Sequence, residues 1–97
     1  MKPANIYVRE TLNSMVNETF DECMRNALRF PQQKRNLNTL ANDTAKFQVE
    51  MMKEVHQYTN DRPTNSRSFL EEFNSKIEIK KREIEKRLKK LIDYHEI

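Results

Sequence analysis

The absence of glycine constrains the fold of this 97-residue chain more than any other feature. Ordinary domains contain roughly 7% glycine, because tight turns, hairpins and phosphate-binding loops need its backbone freedom. Proline occurs only at Pro3, Pro31 and Pro63. Long helices joined by short polar links satisfy these limits, so the sequence predicts an all-α fold.

Apolar residues at steps of three and four predict two long helices in the first part of the chain. The first covers about residues 5–29, and the second about residues 35–58. Phe30-Pro31 separates them, because a residue before proline is disfavoured in the helical region. Since this link is short, residues 1–58 are predicted to form an antiparallel hairpin. The first helix has a face broad enough for two neighbours: Val8, Leu12, Met15, Val16, Phe20, Cys23, Met24, Ala27 and Leu28.

A polar link over residues 59–67 and a charged amphipathic helix over residues 68–97 are predicted for the rest of the chain. The apolar seam of this third helix repeats every seven residues, at Leu70, Ile77, Ile84 and Leu91. A seam this narrow needs another helix to cover it. The third helix is therefore predicted either to start a coiled coil or to fold back into a small bundle with the hairpin. We prefer docking of its start, residues 69–73, with residues 84–91 reaching for a partner.

Two cations interrupt this seam and indicate the chemistry of a partner. Lys80 and Arg87 occupy the second apolar position of the heptad, between Phe73 and Tyr94. Buried cations are costly unless they are paired, and a symmetric homodimer would set them against each other. The predicted partner is an acidic helix of another helical subunit, in a hetero-oligomer.

The seams of the second and third helices supply the predicted partner-binding residues: Leu37, Leu40, Phe47, Met51, Val55, Leu70, Phe73, Ile77, Ile84, Leu88 and Leu91. A basic run adds predicted contacts to an acidic partner or to nucleic acid: Lys80, Lys81, Arg82, Lys86, Arg87, Lys89 and Lys90. Interleaved glutamates and the lack of stacking aromatics favour a solvated helix face or an acidic protein partner over a nucleic-acid backbone. A membrane surface is the least favoured contact, because the run lacks an aromatic apolar face.

No arrangement of residues predicts catalysis, a metal or a cofactor. Cys23 lies on an apolar face, and the two histidines lie far from it in the sequence. A catalytic thiol needs a base held beside it, so we expect a non-enzymatic protein. A single cysteine fits a reducing intracellular compartment, and no apolar stretch approaches the ~20 residues of a membrane span.

A set of apolar residues, a proline break and an acidic helix start recur in an order seen in a known family: Leu12, Val16, Phe20, Phe30-Pro31, Phe47 and Phe69-Leu70-Glu71-Glu72-Phe73. Over about residues 12–87, the chain resembles the N-terminal head of the polyamine-modulated-factor-type subunit of the MIND (Mis-twelve) kinetochore complex. The resemblance implies a hairpin that pairs with a second subunit in a four-helix bundle, a role in chromosome segregation and cell division, and a nuclear, centromeric location. The alternative is a small basic helical nucleic-acid-binding protein.

Overall fold

A computed structural model describes residues 4–61 and 67–96, and the side chains of residues 5–57 and 67–92. Within these ranges the chain forms three α-helices and no strand. The helices are α1 (Ala4–Arg29), α2 (Lys34–Asp61) and α3 (Arg67–Glu96). The predicted all-α fold, a helical hairpin with a third long helix, is confirmed.

The reversal between α1 and α2 uses proline in place of glycine. Phe30 leaves the helical region, with φ −128° and ψ 71°. Its amide still donates to the Asn26 carbonyl at 2.7 Å, and its carbonyl accepts from the Gln33 amide at 2.9 Å. Pro31 begins a 3-10 turn, Pro31–Gln33, at a position where an N–H would have no carbonyl of the same turn to bond. The chain therefore turns tightly without positive φ angles.

The second link differs from the prediction because α2 is longer. Residues 59–61, predicted as part of the polar link, are the last residues of α2, and α3 begins at Arg67. Lys76 of α3 lies 3.2 Å from Glu54 of α2, and Arg87 lies 3.0 Å from Asp43. These contacts show that α3 runs antiparallel to α2. The molecule is elongated, with extents of 51 × 21 × 16 Å.

The core runs along the line where the three helices meet. Phe73 is its largest fully buried side chain, and its ring contacts Tyr7 edge to face with centroids 6.3 Å apart. The Tyr7 hydroxyl donates to the Asn74 side chain at 3.1 Å, which ties α1 to α3. Burying each large apolar side chain stabilises the fold by about 1.5–3 kcal/mol. The buried apolar residues are Val8, Leu12, Met15, Cys23, Leu37, Leu40, Ala41, Met51, Val55, Phe73, Ile77 and Ile84.

The seven-residue seam of α3 is used inside the chain. Ile77 and Ile84 are buried, and Leu70 and Leu91 are half-buried against the core. Residues 84–91 therefore pack on the hairpin, and the prediction that they extend away from it to reach for a partner was wrong. The hairpin already presents an apolar face, and docking on it avoids the loss of translational freedom that binding a second molecule would require.

The two cations in the seam also find their partners within the chain. Lys80 Nζ lies 5.1 Å from the centre of the Phe47 ring and 3.4 Å from Glu83 Oε1. Arg87 donates to Asp43 Oδ2 at 3.0 Å. The sequence predicted that an acidic helix of another subunit would face these cations. Instead, α2 of the same chain supplies the Phe47 ring for Lys80 and the Asp43 carboxylate for Arg87.

Candidate protein-binding surfaces

Most residues predicted to bind a partner are interior. The seven that are buried are Leu37, Leu40, Met51, Val55, Phe73, Ile77 and Ile84. The four that are half-buried and packed against the core are Phe47, Leu70, Leu88 and Leu91. Their assignment to a partner surface is corrected, because the seams of α2 and α3 pack with α1 into one core. Leu40, Ile84 and Leu88 also line a groove at the edge of this core.

An apolar row on α1 remains uncovered, and we call it the α1 stripe: Phe20, Met24 and Leu28. These side chains are 39%, 66% and 80% exposed. Steps of four residues place them along one side of the helix. The sequence placed them on the same broad face as Leu12 and Cys23, which are buried. A contiguous exposed apolar row of this kind is a candidate interaction surface. The exposed Ile79 of α3 differs, because the residues three and four positions away on either side are polar or charged.

A groove of about 550 Å³ lies between α1 and α3. Glu18 and Glu22 of α1 form one wall, and Lys81, Glu85 and Lys89 of α3 form the other. None of the α1 stripe residues lines this groove. Its apolar lining consists of Met15, Cys23, Leu40, Ile84, Leu88 and Ile92.

Cys23 is an apolar packing group in this groove. Burial raises the pKa of its thiol above the ordinary value of 9.0, and the negative charge of Glu22 raises it further. The thiol is therefore protonated at neutral pH, and the reactive thiolate is disfavoured. Among the residues with described side chains, no group of three His, Cys, Asp or Glu could hold a metal ion.

The seven predicted basic contacts divide into three groups. Lys80 and Arg87 are half-buried and contact α2. Lys81 and Lys89 are exposed on the groove wall. The third group is exposed, and its four-residue steps give α3 a basic row on one side: Arg82, Lys86 and Lys90.

Comparison with known proteins leaves the fold as the only guide to the class of protein. No protein-family model matches the chain, and no match was found among curated proteins or solved structures. The fold defines a three-helix, up-down-up protein. Within residues 4–61 and 67–96, no helix combines the length and apolar character needed to cross a membrane.

Proposed function

We propose that this chain is a non-catalytic structural subunit of a multi-protein helical assembly. The observation that carries the proposal is the α1 stripe, where Met24 and Leu28 stay 66% and 80% exposed while the seams of α2 and α3 are covered. Full burial of one such side chain contributes about 1.5–3 kcal/mol. Phe and Met are also enriched in the buried centres of protein interfaces. A partner that covered the stripe would therefore gain binding energy without disturbing the core.

The resemblance described above makes the proposal more specific: the head of a kinetochore subunit needed for chromosome segregation, located in the nucleus. Two features support this assignment. The α1–α2 hairpin that the resemblance implies is present, and Phe20 belongs both to the resemblance and to the α1 stripe. In this proposal, the stripe is the surface on which a hairpin of the second subunit packs.

Co-expression with the Mis-twelve-type subunit of the same organism tests the kinetochore assignment. Met24→Glu and Ile79→Glu are matched variants, because the two side chains are 66% and 65% exposed on different helices. We expect the wild-type chain and the Ile79→Glu variant to co-purify with that subunit. Met24→Glu should lose it, because a carboxylate would be buried without a partner. Absence of a complex with the wild-type chain, or equal pairing by both variants, would refute the assignment.

The basic row on α3 supports a second candidate, a nucleic-acid-binding protein. Arg82, Lys86 and Lys90 are exposed together, and phosphate contacts would make binding to duplex DNA fall steeply with salt. The test variant Arg82→Glu/Lys86→Glu leaves Arg87 in place, because Arg87 contacts Asp43 inside the chain. It should abolish binding measured by fluorescence anisotropy. Unchanged DNA binding by this variant would eliminate the candidate.

A further inference from the structure

We propose that the groove between α1 and α3 binds one amphipathic helix of a partner protein, with basic residues along one edge and mainly acidic residues along the other. The inference rests on the proposed function as a protein-binding subunit, but it concerns a different surface from the α1 stripe. It identifies the partner by shape and charge.

The shape of the groove fits one inserted helix. On α3 its lining extends from Lys81 to Ile92, which is about 16 Å, or three turns, at a rise of 1.5 Å per residue. The apolar floor between the walls consists of half-buried Leu88 and Ile92 beside the buried Met15, Cys23, Leu40 and Ile84. Leu88 and Ile92 keep apolar surface accessible there, so the partner needs an apolar stripe facing them. A second copy of the chain, placed groove to groove, would leave the concave volume of about 550 Å³ unfilled. Such voids forfeit packing contacts, so an inserted helix fits better than a second copy.

The charges of the walls determine the edges of the partner helix. Glu18 and Glu22 are four residues apart and form the α1 wall. Glu22 contacts Arg25 at 3.1 Å, yet its side chain remains 46% exposed. A basic edge complements this wall, because opposite charges across an interface favour association.

The α3 wall has the opposite net charge. Lys81 and Lys89 lie on either side of Glu85 along this wall, and all three are exposed. An edge with two acidic residues, aligned with the two lysines, complements the wall. A partner with both edges basic or both edges acidic would place like charges against one wall.

Two synthetic helical peptides of about four turns, with the same apolar stripe, test this inference. The mixed peptide carries Lys along one edge and Glu along the other, and the acidic peptide carries Glu along both. A peptide with the two edges exchanged would not serve as a control. The mixed peptide can present the same arrangement by binding in the opposite direction along the groove. By fluorescence anisotropy, we expect the wild-type chain to bind the mixed peptide about tenfold more tightly than the acidic one, a difference of about 1.4 kcal/mol.

Reversing the charge of the α1 wall should reverse this preference. The variant Glu18→Lys/Glu22→Lys has two basic walls, so it should bind the acidic peptide more tightly than the mixed one. This outcome is a gain of binding, which an unfolded variant would not produce. The control Glu50→Lys/Glu78→Lys changes two exposed glutamates outside the groove and has the same net charge. It should keep the wild-type preference.

The inference would be overturned if neither peptide binds, if the wild-type chain shows no preference, if the groove variant keeps the wild-type preference, or if the control variant changes preference as the groove variant does. Met24→Glu separates this inference from the proposed function. It should bind the mixed peptide as the wild-type chain does, because Met24 does not line the groove. Loss of peptide binding in Met24→Glu would place the peptide on the stripe and reject the groove. Failure of the peptides to bind any form of the chain would leave the stripe proposal standing.

Discussion

Phe73 connects α3 to both other helices. Its ring meets Tyr7 of α1, and the same side chain lines a small cavity with Met51 and Val55 of α2. The aromatic ring therefore fixes the position of α3 at the end where the helix begins. No other fully buried side chain of the described residues has a larger volume.

Phe73→Ala should lower the free energy of unfolding by about 3–5 kcal/mol, because it removes the buried ring and leaves a cavity. Urea denaturation followed by circular dichroism measures the change. The control Ile79→Ala removes a side chain that is 65% exposed, and it should stay within about 0.5 kcal/mol of wild type. Similar losses in the two variants would contradict the packing of α3 described above.

Cys23 should make the stability of the chain sensitive to alkaline pH. Burial raises the pKa of its thiol, so the folded chain holds this proton more tightly than the unfolded chain. The resulting contribution to stability is complete below the ordinary thiol pKa of 9.0 and is lost as the pH rises through the higher folded pKa. The pKa of Lys76 is raised above its ordinary value of 10.5 by its hydrogen bond to Glu54, so the contribution of Lys76 is complete below pH 10.5 and is lost only above it.

Cys23→Ala should therefore flatten the decline in unfolding free energy just above pH 9, even if its stability at neutral pH is lower. Urea unfolding at about pH 8, 9 and 10 measures this decline in both forms. A parallel decline in the wild-type chain and in Cys23→Ala would show that another group is responsible.

At the scale of the elements, α2 and α3 are held in register by polar contacts at both ends of their shared surface. Glu54 pairs with Lys76, and Asp43 pairs with Arg87. The two acidic residues on α2 and the two cations on α3 have the same separation along their chains. Antiparallel helices can therefore form both pairs in a single register, which strengthens the choice of α2 as the partner of α3.

A double-mutant cycle with Asp43→Asn and Arg87→Gln should give a coupling energy of about 0.2–1 kcal/mol. The expected value is small because the two side chains are 38% and 39% exposed, so water screens the pair. Thermal or urea unfolding of the four forms measures it, and high salt should reduce it. If the two single losses simply add, α2 does not supply the partner of Arg87 in solution.

The elements were largely predictable from the sequence, whereas their contacts were not. Periodicity and Phe30-Pro31 placed α1 and α2 to within a few residues, because apolar spacing and proline act locally. The heptad seam of α3 indicated that a second helix must cover it, but a seam does not specify which helix. The matched separations of Asp43–Glu54 and Lys76–Arg87 were the available signal for α2. The α1 stripe was not predictable, since its spacing equals that of the buried residues on the same broad face.

In the whole molecule, the seams of α2 and α3 are covered, and α1 carries a row of three exposed apolar residues, whereas Val49 of α2 and Ile79 of α3 are exposed singly. The α1 stripe and the groove lie on different faces of α1, so the chain has two separate candidate surfaces for helical partners. This arrangement suits the scaffold role proposed above, because a scaffold holds neighbours together through surfaces that do not compete.

Quantitative mass spectrometry of proteins that co-purify with the tagged chain from its own cells tests the central claim most directly. The wild-type chain is compared with Met24→Glu and with the exposure-matched Ile79→Glu, after circular dichroism has shown equal helix content. We expect Ile79→Glu to retain the wild-type set of proteins and Met24→Glu to lose one or more of them. An identical set of proteins with all three forms would contradict the claim that the α1 stripe binds a partner.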